Sequence, residues 1–94
     1  MDYKETLQGL VDELQLWFNA SAYNGCRKAD LVIYKSKYPE KATTVSVLLD
    51  GRRIYVRKGI GTDEQVEQML CKMILVDMVA RSLISAEKEI LERE

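Results

Sequence analysis

The segment TTVSVLLDGRRIYVRK, residues 43–58, constrains the fold more than any other part of the chain. Two runs rich in β-branched and aromatic residues flank Asp50-Gly51, whose glycine supports the positive φ angles that a two-residue type I′ turn needs. With Asp50 and Gly51 as the loop, Leu49 pairs with Arg52, Val47 with Ile54 and Val45 with Val56. Side chains alternate across a strand, so those five aliphatics share one face. The opposite face carries Leu48 with Arg53, Ser46 with Tyr55 and Thr44 with Arg57. One side of the hairpin is expected to be greasy and the other basic.

Residues 31–38, LVIYKSKY, end at Pro39 and read as a strand preceding the hairpin. If Val32 and Tyr34 face the core, Lys35 and Lys37 join Arg53, Tyr55 and Arg57 on the open face. If Leu31 and Ile33 face inward instead, a one-residue slip sends both lysines in and dissolves much of the basic face.

A helix is expected over residues 3–24, where Leu7, Leu10, Val11, Leu14, Trp17 and Phe18 form one apolar stripe. Asn24-Gly25 supplies its stop, and Leu16 lies off the stripe. A second helix begins at Thr62 as N-cap, with Gln65 completing a capping box and Asp63 and Glu64 at the positive end of the dipole. No proline or glycine intervenes from there to about Arg93. The order is therefore α-β-β-β-α. The expected fold is α+β, one domain over residues 1–94, with a three-stranded antiparallel meander and both helices packed on its greasy face.

The second helix is apolar on two sides. Val66, Met69, Met73, Val76, Ala80, Leu83 and Ile90 recur at 3–4 spacing and form the face expected to lie on the sheet. Leu70, Cys71, Ile74, Leu75 and Met78 make a patch roughly opposite. Either the first helix packs on that patch, or the chain self-associates through the patch or the helix overhang, or a different partner covers it, and self-association is preferred. About 31 helical residues span roughly 46 Å, whereas eight-residue strands span some 26 Å, so the helix end overhangs its sheet unless it breaks near Ser82 or Ser85.

Chemistry-bearing motifs are sparse. The chain has no histidine, which removes the commonest general base and metal ligand. Cys26 and Cys71 show neither metal-ligand nor redox spacing. Cys26 lies beside Arg27 and Lys28 but has no base, and Cys71 reads as helix packing. Gly59-Ile60-Gly61 leads into a helix start but lacks the third glycine of a dinucleotide fingerprint and the lysine of a phosphate loop. The acids Glu87, Glu89, Glu92 and Glu94 show no calcium-loop pattern. These absences point away from an enzyme and from any cofactor. The charged N-terminal stretch does not read as a secretion signal, and every apolar run is interrupted well short of a membrane span. A cytoplasmic protein with no membrane contact is the expectation.

Charge is unevenly spread. Residues 27–58 hold nine basic and three acidic side chains, whereas the segments on either side are net acidic and the whole chain carries −1. Lys35, Lys37, Arg53, Tyr55 and Arg57 together would suit an acidic protein surface or nucleic acid, since cations meet phosphates and a ring stacks on bases. An open sheet face is polar in any case, and lysine and arginine on strands also oppose edge-to-edge aggregation.

Two families share the α-β-β-β-α order. KGIGTDEQVE is similar to the glycine-containing turn into the last helix of double-stranded RNA-binding domains. Asp63, Glu64 and Glu67 stand where that family has a lysine-rich helix start, so the RNA contact made there would be lost. TVSVLLDG and DEQVEQML…EKEILERE resemble, in outline, the small dimeric nucleoid-associated proteins. Neither likeness is a motif match, and neither assigns the chain to a family. The expected function is a non-enzymatic protein-interaction or adaptor module, homodimeric through the Leu70–Met78 patch or the helix overhang. The alternative is a nucleic-acid-associated regulator using the basic sheet face.

Overall fold

The computed structural model describes residues 1–21 and 27–93, with side chains through Ser82. Its elements are α1 (Tyr3–Ala20), β1 (Ala29–Ser36), β2 (Ala42–Leu49), β3 (Arg52–Ile60) and α2 (Glu64–Arg93). The strands form one antiparallel sheet in the order β1-β2-β3, and both helices lie on the same side of it. The α+β architecture expected from the sequence is the one observed.

Asp2 caps α1, accepting the Glu5 N–H at 3.0 Å. Leu7, Val11 and Phe18 are buried and Leu14 is half-buried, but Leu10 and Trp17 are 40% and 60% exposed. The buried arc of α1 is thus narrower than its apolar stripe. The expected stop at Asn24-Gly25 and the thiol of Cys26 lie outside the described residues. Gln15 ties α1 to the sheet: its Oε1 accepts the Ala29 N–H at 2.7 Å and its Nε2 donates to the Arg27 carbonyl at 3.0 Å.

That anchor fixes which face β1 presents. Leu31 pairs with Val47 and Ile33 with Val45, all four on the helix side. Val32 and Tyr34 are exposed on the other. Of the two facings that the sequence left open, the one with Leu31 and Ile33 inward is observed. With Ala29 buried beside Gln15, every second residue follows it inward, Lys35 included.

The hairpin turn has the expected form, with φ of 54° at Asp50 and 80° at Gly51. Asp50 is held from outside, accepting the Lys28 N–H at 2.9 Å and Arg27 Nε at 3.0 Å. Leu49 pairs with Arg52 and Leu48 with Arg53 as expected. Beyond them the register shifts: Val47 opposes Tyr55, Ser46 opposes Val56 and Val45 opposes Arg57. Ile54 is the extra residue, a β-bulge. The expected pairs Val47–Ile54 and Val45–Val56 do not form. Instead the bulge turns Tyr55, Arg57 and Gly59 toward the helices and Val56, Lys58 and Ile60 toward the open face.

Helix α2 starts one residue later than its sequence suggests. Asp63, not Thr62, is the cap, its carboxylate accepting the Val66 N–H at 3.0 Å. The helix then runs unbroken past Ser82 and Ser85. Leu70, Cys71 and Ile74 are 0–1% exposed at the centre of the core, with Leu75 and Met78 packed beside them. Met69, Met73, Val76 and Ala80 face away. The two apolar faces are thus exchanged relative to expectation, save for Val66, which packs inward, and for Leu83 and Ile90, whose side chains lie outside the described residues. A reason lies in β3: a Cβ on Gly59 would stand 3.3 Å from both Leu70 and Val66. The bulge brings this glycine under α2, and the helix presses its Val66–Leu70 side into the space.

Candidate functional site

The outer face of α2 is an apolar strip that the described residues leave uncovered. Met69 is 51% exposed, Met73 37%, Val76 58% and Val79 60%. Ordinary surface helices place charge on the side opposite their core. Here the side opposite Leu70, Cys71 and Ile74 carries two methionines, two valines and Ala80. Met69, Met73, Val76 and Ala80 recur at alternating steps of four and three, a seven-residue period. A strict 3.5-residue repeat keeps one seam turned toward a neighbouring helix and is the signature of helix-on-helix pairing.

On one flank the strip opens into a groove of about 650 Å³ between the helices, where Tyr3, Thr6 and Leu10 of α1 face Leu75, Val76 and Val79. The Lys72 ammonium stands 5.5 Å above the Tyr3 ring at the rim. On the other flank Arg57 makes two charge-assisted bonds to the Asp77 carboxylate, at 2.9 and 2.8 Å. The Arg81 guanidinium lies 4.9 Å from the Tyr55 ring beside them. The apolar strip thus runs between Lys72 on one edge and the Arg57–Asp77 pair with Arg81 on the other.

The residues assigned to self-association, Leu70, Cys71, Ile74, Leu75 and Met78, are brought together, but inside the domain. They form its core with Leu7, Val11 and Val45 rather than a free surface. The basic group is dispersed. Lys35, Tyr55 and Arg57 turn to the helix side, and Lys37 lies exposed beyond the end of β1. Arg53 alone reaches the open sheet face, beside Val32, Tyr34 and Leu48. The bulge at Ile54 and the facing of β1 account for the dispersal.

A second polar cluster joins α1, β1 and α2 near the start of α2. The buried Glu67 carboxylate sits 2.8 Å from the Lys4 ammonium of α1 and 3.3 Å from that of Lys35 in β1. The hydrogen bond from Lys4 holds the Glu67 carboxyl below its usual range, and the same contact raises Lys4. Gln68 continues the junction, accepting the Tyr3 N–H at 2.7 Å and donating to Asp2 at 2.8 Å. That bond, with the Glu5 N–H, lowers the Asp2 carboxyl. Burial pushes the neighbouring Cys71 thiol up, away from the reactive thiolate. Charges here are matched within the cluster, which fastens α1 and β1 to α2. A cleft of about 730 Å³ opens beside it, lined by Asp2, Lys4, Gln8, Lys35 and Glu64.

Among the described residues no three cysteine or carboxylate side chains converge as metal ligands, and no helix is long and apolar enough to cross a membrane. No family model, curated protein or solved structure matches the chain. The reading of its function rests on the chain itself.

Proposed function

We propose that this protein is an interaction module that works as a homodimer, closing the Met69–Val79 strip of α2 against the same strip of a second copy. The observation that carries this reading is the exposure of four large apolar side chains on the side of α2 opposite its own core. Spread over three helical turns, such a strip is a liability for an isolated domain unless something covers it. Its seven-residue period suits a helix as cover, and a second copy brings a self-complementary one. Length favours the same occupant. The 30 residues of α2 span about 45 Å, against roughly 30 Å for the nine residues of β3. The helix therefore extends past the sheet as a rod that a like rod can follow.

The contact proposed here replaces the Leu70–Met78 patch, which is occupied by the core. The nucleic-acid alternative has lost its platform, because Lys35, Tyr55 and Arg57 are turned to the helix side and Lys35 and Arg57 are ion-paired there. The test is the solution mass of the full chain by light scattering, alongside Val76→Glu and Met73→Glu. Dimeric mass for the unaltered chain and folded monomer for either variant supports the reading. Monomeric mass for the unaltered chain refutes it.

A further inference from the structure

The two edges of the α2 strip carry different groups, Lys72 on one and the Arg57-held Asp77 on the other, and that difference bears on the orientation of the partner helix. This inference rests on the dimer reading above. Take Met69, Val76 and Leu83 as the d positions of the seven-residue repeat and Met73 and Ala80 as its a positions. Lys72 then precedes an a position, and Asp77 follows a d position. Asp77 is fixed at the rim by Arg57, which grips both carboxylate oxygens while about a third of the side chain stays exposed. Lys72 is exposed on the opposite rim, over Tyr3.

In a parallel, in-register helix pair, the residue before an a position faces the residue after the next d position on the other helix. Lys72 of each copy then meets Asp77 of the other, so two opposite-charge pairs bracket the Met73–Val76 layers. In an antiparallel pair like edges face each other. Among the described residues Lys72 is the charged side chain of one edge, whereas Asp77 shares the other with Arg57 and Arg81. An antiparallel pair centred near Asp77 sets two Arg57–Asp77 pairs against each other and leaves Lys72 facing the Lys72 edge of the other copy, with no acid there among the described residues.

We infer that α2 pairs with α2 of a second copy in parallel and in register, with Lys72 against the partner's Asp77.

The decisive experiment uses the full chain with Cys26→Ser, so that an introduced thiol reacts while Cys71 stays buried. Met69→Cys and Val76→Cys are oxidised separately at micromolar concentration, with mass measured under reducing conditions in parallel. A parallel pair sets each position against itself, so both variants are expected to form interchain disulfides. A dimer in which only one position cross-links, or neither, overturns the orientation and leaves the dimer standing. A monomer under reducing conditions overturns both. As an independent check, Lys72→Glu is expected to weaken the dimer about tenfold at low salt while Lys72→Arg preserves it. Equal affinities for the two variants would overturn the Lys72–Asp77 pairing.

Discussion

Ile74 and Val76 stand two residues apart on α2 and face opposite surroundings: Ile74 is fully buried and Val76 is 58% exposed. The sequence contains both as ordinary aliphatics of one apolar helix. The fold gives the first to the core and leaves the second at the surface, where the dimer reading uses it.

That contrast sets the first expectation. Ile74→Glu places a carboxylate among Leu7, Val11 and Val45 without a partner, at a cost of several kcal/mol that a domain of this size does not survive. Val76→Glu leaves the core untouched. Far-ultraviolet circular dichroism is expected to show Ile74→Glu unfolded and Val76→Glu helical. A folded Ile74→Glu would mean that the two faces of α2 have been assigned the wrong way round.

The Glu67 junction should make stability depend on pH. Its carboxyl titrates lower in the folded chain than in the unfolded chain, so its contribution is full above the unfolded value of about 4.5 and is lost as pH falls through the depressed value. Lys4 acts in the opposite sense: raised on folding, its contribution is present below about 10.5 and disappears as pH climbs through the higher folded value. Both lysines are about half exposed, so solvent screening keeps the charge term modest. Glu67→Gln is expected to cost roughly 1–2 kcal/mol at neutral pH and to flatten the acid limb of a urea-unfolding series. An acid limb equal to that of the unaltered chain would assign the dependence to other carboxylates.

Two arginines of the hairpin should behave differently. Arg53 makes no ion pair among the described residues, and Arg53→Glu is expected to change stability by less than about 0.5 kcal/mol. Arg57→Glu sets a carboxylate against Asp77 and is expected to cost about 1 kcal/mol, because both partners are partly solvated. Equal urea midpoints for the two variants would contradict the register shift at Ile54.

Gly61 tests the turn into α2. Its φ is 104°, a Cβ there would stand 3.1 Å from Val66, and its carbonyl accepts the Thr43 hydroxyl at 2.7 Å. Strain and crowding act together, so Gly61→Ala is expected to lose about 1–3 kcal/mol in urea unfolding. Gly51→Ala meets nothing within 4 Å and should lose less, since backbone strain acts alone.

What the sequence revealed and what it concealed divide along physical lines. The α-β-β-β-α order, the Asp50-Gly51 turn and the inward Leu7, Val11 and Phe18 follow from local rules of periodicity and turn chemistry. The bulge at Ile54 leaves no mark of its own, because TVSVLL and RRIYVRK match equally well with or without it. From that one residue follow the inward turn of Tyr55 and Arg57 and the placement of Gly59 beneath Leu70. The facing of β1 was undetermined for a related reason: Leu31, Val32, Ile33 and Tyr34 are apolar on both sides, so alternation gives no preference. For α2 the periodicity identified both faces, but their assignment depended on which one met Gly59 and Leu7. The seven-residue regularity of the outer face was the available clue, since it suits a helix as partner better than a sheet.

The most direct test of the proposed function is the solution mass of the full chain and of Val76→Glu, by light scattering over a concentration series. The chain mass is 10.8 kDa. The unaltered protein is expected to approach twice that value as concentration rises, and Val76→Glu is expected to stay at the single-chain mass with its helices intact. A single-chain mass for the unaltered protein across the series, or dimers of equal strength in both, would contradict the assignment of the Met69–Val79 face.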